Sequence, residues 1–228
     1  MQRTIVITGV SRGLGKALVH EFVAMGHLVA GCARSEEAVE RLRQEVGPAG
    51  SFHVVDVLDR SAVESWAEDV LQRVGPPDLL INNAGVMERD ALFHDIPPEE
   101  FDRVIDVNVK SVANVIRAYL PAMRERKKGV IVSFSSGAGI RGYPEISAYC
   151  ASKHAVEGLS RSLAKEVPEG MAVIPLQPGV IHTDLLDGHY GERAKEHDRP
   201  EVWVKRAAPY ILNLGPEHNG ESLRIPKQ

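Results

Sequence analysis

Short apolar runs alternate with longer helical patterns along the whole chain, and this alternation most constrains the fold. Strands joined by helices of this length form a parallel sheet covered on both faces, which makes its strands apolar throughout. The sequence therefore predicts an α/β fold, a doubly wound parallel sheet of about seven strands. The predicted strands are 4–8, 28–33, 51–57, 78–82, 129–135, 171–177 and 222–226, and the predicted helices are 13–25, 35–46, 61–74, 98–126 and 149–167.

No linker, composition shift or internal repeat divides the chain. This continuity predicts a single domain over residues 1–228. Segment 183–209 lies between two predicted strands and shows no clear periodicity. Because a long segment of this kind is often a lid or a binding loop, we expect it to form the substrate loop.

Composition excludes several classes of protein. The chain has 43% hydrophobic and 25% charged residues, as a globular protein does, and its net charge of −4 disfavours binding to nucleic acid or an anionic membrane. No apolar run is long enough to span a bilayer, and the first residues lack the apolar core of a signal peptide. We expect a cytoplasmic protein with reduced, unpaired thiols at Cys32 and Cys150. The nine histidines form no metal-binding spacing, so no metal site is expected.

A glycine-rich turn, TGVSRGLG at 8–15, directly follows the first predicted strand and opens the first helix. Gly9 suits a tight turn, while Gly13 and Gly15 let the chain approach a phosphate at the helix N-terminus, where free N–H groups carry partial positive charge. The alternative is a glycine-rich turn without a ligand. The context favours a dinucleotide site whose predicted contacts are Gly9, Ser11, Arg12, Gly13, Leu14 and Gly15.

The segment YCASK at 149–153 places a phenol and an ammonium group four residues apart at the start of a predicted helix. This spacing puts Tyr149 and Lys153 on one face. A neighbouring cation favours the phenolate, so Lys153 is expected to lower the pKa of Tyr149 from its usual value of about 10. Tyr149 would then exchange a proton with a carbonyl or alcohol oxygen. An accidental pair on an amphipathic helix is the other interpretation.

Together these motifs resemble the short-chain dehydrogenase/reductase family, in its single-domain branch with TGxxxGxG and YxxxK motifs. The resemblance covers nearly the whole chain. It implies a Rossmann-type fold and an oxidoreductase that transfers hydride between a nicotinamide and a carbonyl or secondary alcohol. Further matching positions are Asp56, the run Asn82-Asn83-Ala84-Gly85, Asn108, Ser136 and the pair Pro178-Gly179.

The resemblance also implies catalytic roles. Ser136 precedes Tyr149 by thirteen residues, the family's usual interval, and would hold the substrate oxygen against it. Ser133 and Ser135 are rivals by composition, although Ser135 should face away from Ser136 because side chains alternate along a strand.

Two further residues complete the implied catalytic set. Lys153 would also bind the nicotinamide ribose. Asn108 would hold a water that links Lys153 to solvent and replaces the proton that Tyr149 gives up. The alternative for Asn108 is a buried amide satisfied by the backbone.

The end of the second predicted strand indicates the cofactor. An acidic residue there would accept hydrogen bonds from the ribose 2′-hydroxyl, but the position holds Ala33, followed by Arg34. Arg12 lies in the glycine-rich turn, and two guanidinium groups suit a 2′-phosphate. Solvated surface arginines are the alternative, and Glu36 and Glu37 lie nearby. The sequence predicts NADP(H).

The remaining contacts to NADP(H) are implied by the resemblance, at the adenine, the riboses and the carboxamide. They are Asp56, Val57, Asn82, Ala84, Gly85, Tyr149, Lys153, Pro178, Gly179, Ile181 and Thr183.

The predicted function is an NADP(H)-dependent carbonyl reductase or alcohol dehydrogenase acting on a small molecule. A non-catalytic dinucleotide sensor on the same fold is an alternative, because fold alone does not fix function. Chain length and glycine spacing disfavour an epimerase or dehydratase. Steroid, sugar, quinone and small ketone substrates all remain open. The family resemblance implies a homodimer or homotetramer.

Overall fold

The computed structural model describes residues 1–227, apart from the side chain of Tyr190. Its centre is one seven-stranded sheet in the order β3-β2-β1-β4-β5-β6-β7, with every pair parallel. The predicted doubly wound sheet is confirmed. The strands are β1 Thr4–Thr8, β2 Leu28–Ala33, β3 Gly50–Val54, β4 Leu79–Asn82, β5 Gly129–Phe134, β6 Met171–Gln177 and β7 Leu223–Arg224.

Helices cover both faces of the sheet, and each face has its own apolar cluster. One cluster packs α1, α2 and α8 onto the sheet around Phe22 and Trp203. The other packs α3, α5 and α6 around Trp66 and Tyr119, whose rings meet edge to face at 5.5 Å between centroids. The helices are α1 Gly13–Ala24, α2 Glu36–Val46, α3 Arg60–Val74, α4 Pro98–Ile105, α5 Ser111–Arg126, α6 Ser147–Ala164, α7 Asp184–Tyr190 and α8 Pro200–Leu212.

The predicted single helix over 98–126 is wrong in one respect. A π-helical turn at Asp106–Lys110 separates α4 from α5. Such turns insert an extra residue into a helix and are frequent at functional sites. The turn contains Asn108, whose buried side chain bonds to the backbone of a neighbouring loop. This tertiary contact, which local sequence does not reveal, accounts for the interruption.

The expected irregularity of segment 183–209 is also wrong, because most of the segment is helical. It contains α7, a short 3-10 stretch at Gly191–Glu196 and most of α8. Helix α8 begins with Pro200 at a position that favours proline. Its residues Trp203, Ala207 and Ile211 repeat every four positions and are fully buried. Pro209 inside the helix obscured this pattern.

The glycine-rich turn packs closely against the loop after β4. Gly9 has a φ of +73°, a conformation that L side chains rarely adopt. The Asn83 amide donates to the carbonyl oxygens of Thr8 and Gly9 at 2.8 and 3.0 Å. A Cβ added to Gly15 would lie 2.3 Å from the Gly9 oxygen and 2.5 Å from the Asn83 amide nitrogen. Only glycine fits at position 15 without moving the turn.

We therefore expect Gly15→Ala to destabilise the fold. The methyl group overpacks a backbone contact, which costs about 1–3 kcal/mol. Urea unfolding measures the change. Gly142→Ala is the control, because its added Cβ would meet nothing within 4 Å. Equal stability of the two variants would contradict the close packing at Gly15.

Candidate active site

A cleft of about 730 Å³ opens at the carboxyl ends of the strands. It lies where the strand order reverses between β1 and β4, the place where open α/β sheets bind ligands. Loops after β1, β2, β4, β5 and β6 form its walls. The sheet topology therefore brings together residues that are far apart in sequence.

Most of the predicted site residues line this cleft. Gly15, Asn82 and Asn108 do not: Gly15 packs beneath the turn, and the Asn82 amide donates to Ser133 Oγ at 3.1 Å. The lining residues include Gly9, Ser11, Arg12, Gly13, Leu14, Arg34, Asp56, Val57, Ala84, Gly85, Ser136, Tyr149, Lys153, Pro178, Gly179, Ile181 and Thr183.

Ser136, Tyr149 and Lys153 form one cluster. The buried Lys153 ammonium donates to the Phe134 carbonyl at 2.8 Å and lies 5.4 Å from the centroid of the Tyr149 ring. The Ser136 hydroxyl accepts from the Ala138 N–H at 3.2 Å and acts on the pKa of the Tyr149 phenol, which it lowers. The strand β5 and the first two turns of α6 thus bring a hydroxyl, a phenol and an ammonium group to one place.

The two rival serines bond elsewhere. Ser135 donates to Glu157 Oε1 at 2.7 Å, and Ser133 accepts from Asn82. Ser135 also lines the cleft, but its hydroxyl is committed to this buried carboxylate. Of the three serines, the one that lowers the pKa of the Tyr149 phenol is Ser136.

Burial controls the acidity of the cluster. Loss of solvation raises the pKa of Tyr149 to about 12, although the hydrogen bond with Ser136 opposes it. Loss of solvation also lowers the pKa of Lys153 to about 8. The expectation that Lys153 lowers the pKa of Tyr149 is therefore wrong for the chain's own groups. The Lys153 ammonium is directed to the Phe134 carbonyl, and burial outweighs any attraction to the phenolate.

Asn108 holds the loop that follows β4. Its Oδ1 accepts from the Val86 N–H at 2.8 Å, and its Nδ2 donates to the Val86 carbonyl at 2.8 Å and to Ser152 Oγ at 3.0 Å. An added Cβ at Gly85 would lie 3.3 Å from Asn108 Oδ1 and 3.9 Å from Lys153 Nζ. The Asn108 amide and the Lys153 ammonium thus both border Gly85, where the absence of a side chain keeps the space open.

The chain's residues fit a dinucleotide. The N-terminus of α1 has no side-chain cap, so its N–H groups are available to a pyrophosphate. Gly13 has a φ of +57° beside the cleft, where its position leaves room for an approaching phosphate. Arg34 is exposed at the end of β2, and Arg12 forms an exposed ion pair with Asp184 at 2.7 Å.

Two residues that line the cleft were not predicted from the sequence as individual site residues. Asn83 was noted only as part of a motif, yet its amide joins the ends of β1 and β4 and it lines the cleft. Glu88 was missed: it is buried, lines the cleft and accepts a hydrogen bond from the Tyr149 backbone N–H. No sequence signal marks Glu88, because its partner lies 61 positions away.

Within residues 1–227, no helix combines the length and apolar character needed to cross a bilayer. The same residues contain no group of three or more histidine, cysteine, aspartate or glutamate side chains suited to a metal ion.

The family model, the related sequences and the related structures agree with one another. The family model for short chain dehydrogenases matches residues 3–193. An Arabidopsis thaliana protein named NADPH-dependent pterin aldehyde reductase is 46% identical over 225 residues, covering 98% of this chain and 93% of that protein. The 3-oxoacyl-acyl-carrier-protein reductase of Haemophilus influenzae is 36% identical over 80% of this chain and 75% of its own. The solved structure of ElxO with NADP bound has a TM-score of 0.88 at 26% identity and covers 99% of this chain and 97% of its own.

The chain belongs to the short-chain dehydrogenase family. It is an NADP(H)-dependent oxidoreductase that transfers hydride between the nicotinamide and a carbonyl or alcohol carbon, as the sequence predicted.

We expect Asn108→Ala to lower the free energy of unfolding by about 1–3 kcal/mol, because it leaves both backbone groups of Val86 without their partner. Asn114→Ala is the matched control. Asn114 makes a single 3.2 Å bond to the Val57 carbonyl, so its loss is expected to cost less than about 1 kcal/mol. Urea unfolding compares the two variants, and equal losses would contradict the role assigned to Asn108.

Proposed function

We propose that the chain is an NADPH-dependent carbonyl reductase that acts on aldehydes carried by a planar heterocycle, with pterin aldehydes as its substrate class. The observation that carries the proposal is the cluster of Ser136, Tyr149 and Lys153 at the cleft. The substrate class is supported by the name of the Arabidopsis thaliana relative, which matches nearly the whole chain.

In this mechanism Ser136 and Tyr149 hold the substrate carbonyl oxygen, and Tyr149 gives it a proton. Bound NADPH supplies the hydride. A phenol with a pKa of about 12 stays protonated at neutral pH, so Tyr149 holds the proton that reduction of a carbonyl requires. Sharing the developing charge on oxygen between two hydroxyl donors lowers the barrier further.

Lys153 and Asn108 support Tyr149, the proton donor. Lys153, with a pKa of about 8, is able to gain or lose a proton near neutral pH. It binds the nicotinamide ribose and passes a proton towards Tyr149. Asn108 lies beside Lys153 across Gly85 and keeps the relay in place. The Val86 contacts support this role, because they hold the loop that faces Lys153.

The cleft beside Tyr149 suits a planar ring. Ala138, Ile146 and Cys150 form a buried apolar cluster against which Met87 and Tyr149 pack. Arg141 lies 5.2 Å from the centroid of the Tyr143 ring, and its Nε donates to the Tyr143 hydroxyl at 2.6 Å. Apolar walls with a few fixed polar groups are typical of small-molecule sites.

Segment 183–209 is proposed as the substrate segment of a single NADP-binding domain. Leu185 and Leu186 of α7 line the cleft. Asp184 forms an ion pair with Arg12 of the glycine-rich turn at 2.7 Å, and His189 forms a hydrogen bond with Asp90 of the loop after β4 at 2.5 Å. The segment therefore borders the cleft and is tied to the glycine-rich turn and to the loop after β4.

A homodimer or homotetramer through α5 and α6 also belongs to the proposal, as does a cytoplasmic location. The assembly is the one that the family resemblance implies. Light scattering tests this point, and a monomer at micromolar concentration would count against it.

The catalytic proposal is tested by following NADPH absorbance against pterin, benzylic and aliphatic aldehydes, ketones and a 3-oxoacyl thioester. We expect the highest kcat/KM with the pterin aldehyde. Tyr149→Phe is expected to lower kcat by about 10²–10⁴-fold, the usual contribution of a general acid. Tyr119→Phe is the control, because Tyr119 is buried between α3 and α5 outside the cleft. If Tyr149→Phe binds NADPH and the wild type reduces none of these substrates, the non-catalytic dinucleotide sensor is favoured.

Cofactor choice has its own test. Replacing Ala33 with Asp and Arg34 with Ile removes a guanidinium and adds a carboxylate where the 2′-phosphate would lie. The kcat/KM ratio of NADPH to NADH is expected to fall about 10–100-fold, the value of one hydrogen bond to a charged group. Arg41→Ile is the control, since Arg41 bonds to Glu37 on the surface of α2. An unchanged ratio in the double variant would contradict phosphate recognition by Arg34.

A further inference from the structure

Glu88 is a buried carboxylate inside the proposed active-site cleft. It lies in the loop after β4, is 4% exposed and lines the cleft. Its neighbour Met87 packs against the apolar cluster of Ala138, Ile146 and Cys150. A carboxylate in such surroundings requires several hydrogen-bond donors, because burying a charge without partners is costly.

Among the residues that the structure describes, one such donor contacts Glu88. Both Glu88 oxygens accept from the Tyr149 backbone N–H, each at 3.0 Å. This bond caps α6, whose preceding residue Ile146 provides no side-chain cap, and the positive end of the helix dipole favours an anion there. Among residues 1–227, no lysine, arginine or histidine forms an ion pair with Glu88.

Glu88 keeps acceptor capacity that the Tyr149 N–H does not use, and its side chain lines the cleft. A carboxylate offers about four lone-pair directions, and a shared N–H leaves one free on each oxygen. Two parallel N–H donors would fill these directions in the bidentate arrangement that carboxylates prefer. The 2-amino-4-oxopyrimidine edge of a pterin presents such a pair, its ring N–H and its exocyclic amino group.

We propose that Glu88 is a specificity-determining residue that binds the amino and ring N–H groups of the pterin substrate. This inference rests on the proposed pterin aldehyde reductase function. It gives the carboxylate a second task besides capping α6, and it places the substrate ring beside the apolar cluster that adjoins Tyr149.

The test compares two aldehydes that differ at one position. Pterin-6-carbaldehyde carries the 2-amino donor, whereas lumazine-6-carbaldehyde has a carbonyl oxygen there, which a carboxylate repels. We expect the wild type to prefer the pterin by about 10–100-fold in kcat/KM, the value of a hydrogen bond to a charged group. A site built to bind an N–H group rejects the analogue that lacks it.

Glu88→Gln separates binding from capping. Glutamine retains an oxygen for the Tyr149 N–H but presents an amide N–H₂ to the ligand. We expect it to lower kcat/KM for the pterin aldehyde by about 10–100-fold and to change the lumazine value by less than about threefold. Glu88→Asp, which keeps the charge, should retain part of the preference for the pterin.

Glu100→Gln is the matched control. Glu100 also accepts a backbone N–H from this loop, that of Arg89 at 2.8 Å, but it does not line the cleft. Its substitution should leave the selectivity unchanged. Thermal unfolding and NADPH affinity report whether each variant is folded.

The outcomes are distinct. Equal losses for both aldehydes in Glu88→Gln would show that Glu88 only caps α6 and would overturn the proposal. A wild type that reduces other aldehydes but neither pteridine would overturn the proposed substrate class and this inference together. If Glu88→Gln does not fold, competitive inhibition of the wild type by pterin and by lumazine replaces it. A pterin inhibition constant at least tenfold lower supports the proposal, and equal constants overturn it.

Discussion

The hydrogen bonds between the ends of β1 and β4 are the constraint on which the site depends. Thr8 Oγ1 accepts from the backbone N–H groups of Asn83 and Ala84, both at 3.1 Å, and the Asn83 amide returns bonds to Thr8 and Gly9. These strands are neighbours in the sheet but about 75 residues apart in sequence. Their close contact fixes the glycine-rich turn on one side of the cleft and the loop that leads to Glu88 on the other.

Desolvation is the second determinant, because it sets which proton the site can give. The same burial raises the pKa of Tyr149 to about 12 and lowers that of Lys153 to about 8. Burial therefore favours the uncharged form of both groups, a phenol that keeps its proton and an amine that releases one more readily. Such a pair suits proton donation to a carbonyl oxygen, with replenishment through the amine.

Much of the fold and of the site was predictable from sequence, and the reasons are local. Buried parallel strands are apolar throughout, so β1, β5 and β6 are visible directly, and the turn at Gly9 and the pair of Tyr149 and Lys153 each lie within one short segment. Spacing on the strand alone left Ser133 and Ser135 as alternatives to Ser136, and the family resemblance selected Ser136.

What the sequence did not predict depends on contacts between distant segments. The π-helical turn follows from Asn108 bonding to Val86, and the cap on α6 comes from Glu88. The acidity of Tyr149 was misjudged, because the spacing to Lys153 reveals proximity but not the direction of the ammonium group or the extent of burial. Helix α8 was missed for another reason, since Pro209 masked a four-residue apolar repeat that was present.

The most direct measurement of the central claim traces the hydrogen that reaches the substrate carbon. NADPH carrying deuterium at the nicotinamide C4, on both faces, is reacted with a pterin aldehyde, and the alcohol product is examined by mass spectrometry and proton NMR. Hydride transfer predicts one carbon-bound deuterium per product molecule, and none at carbon when unlabelled NADPH reacts in D₂O. Solvent deuterium at that carbon, or product without the cofactor's deuterium, would contradict the account.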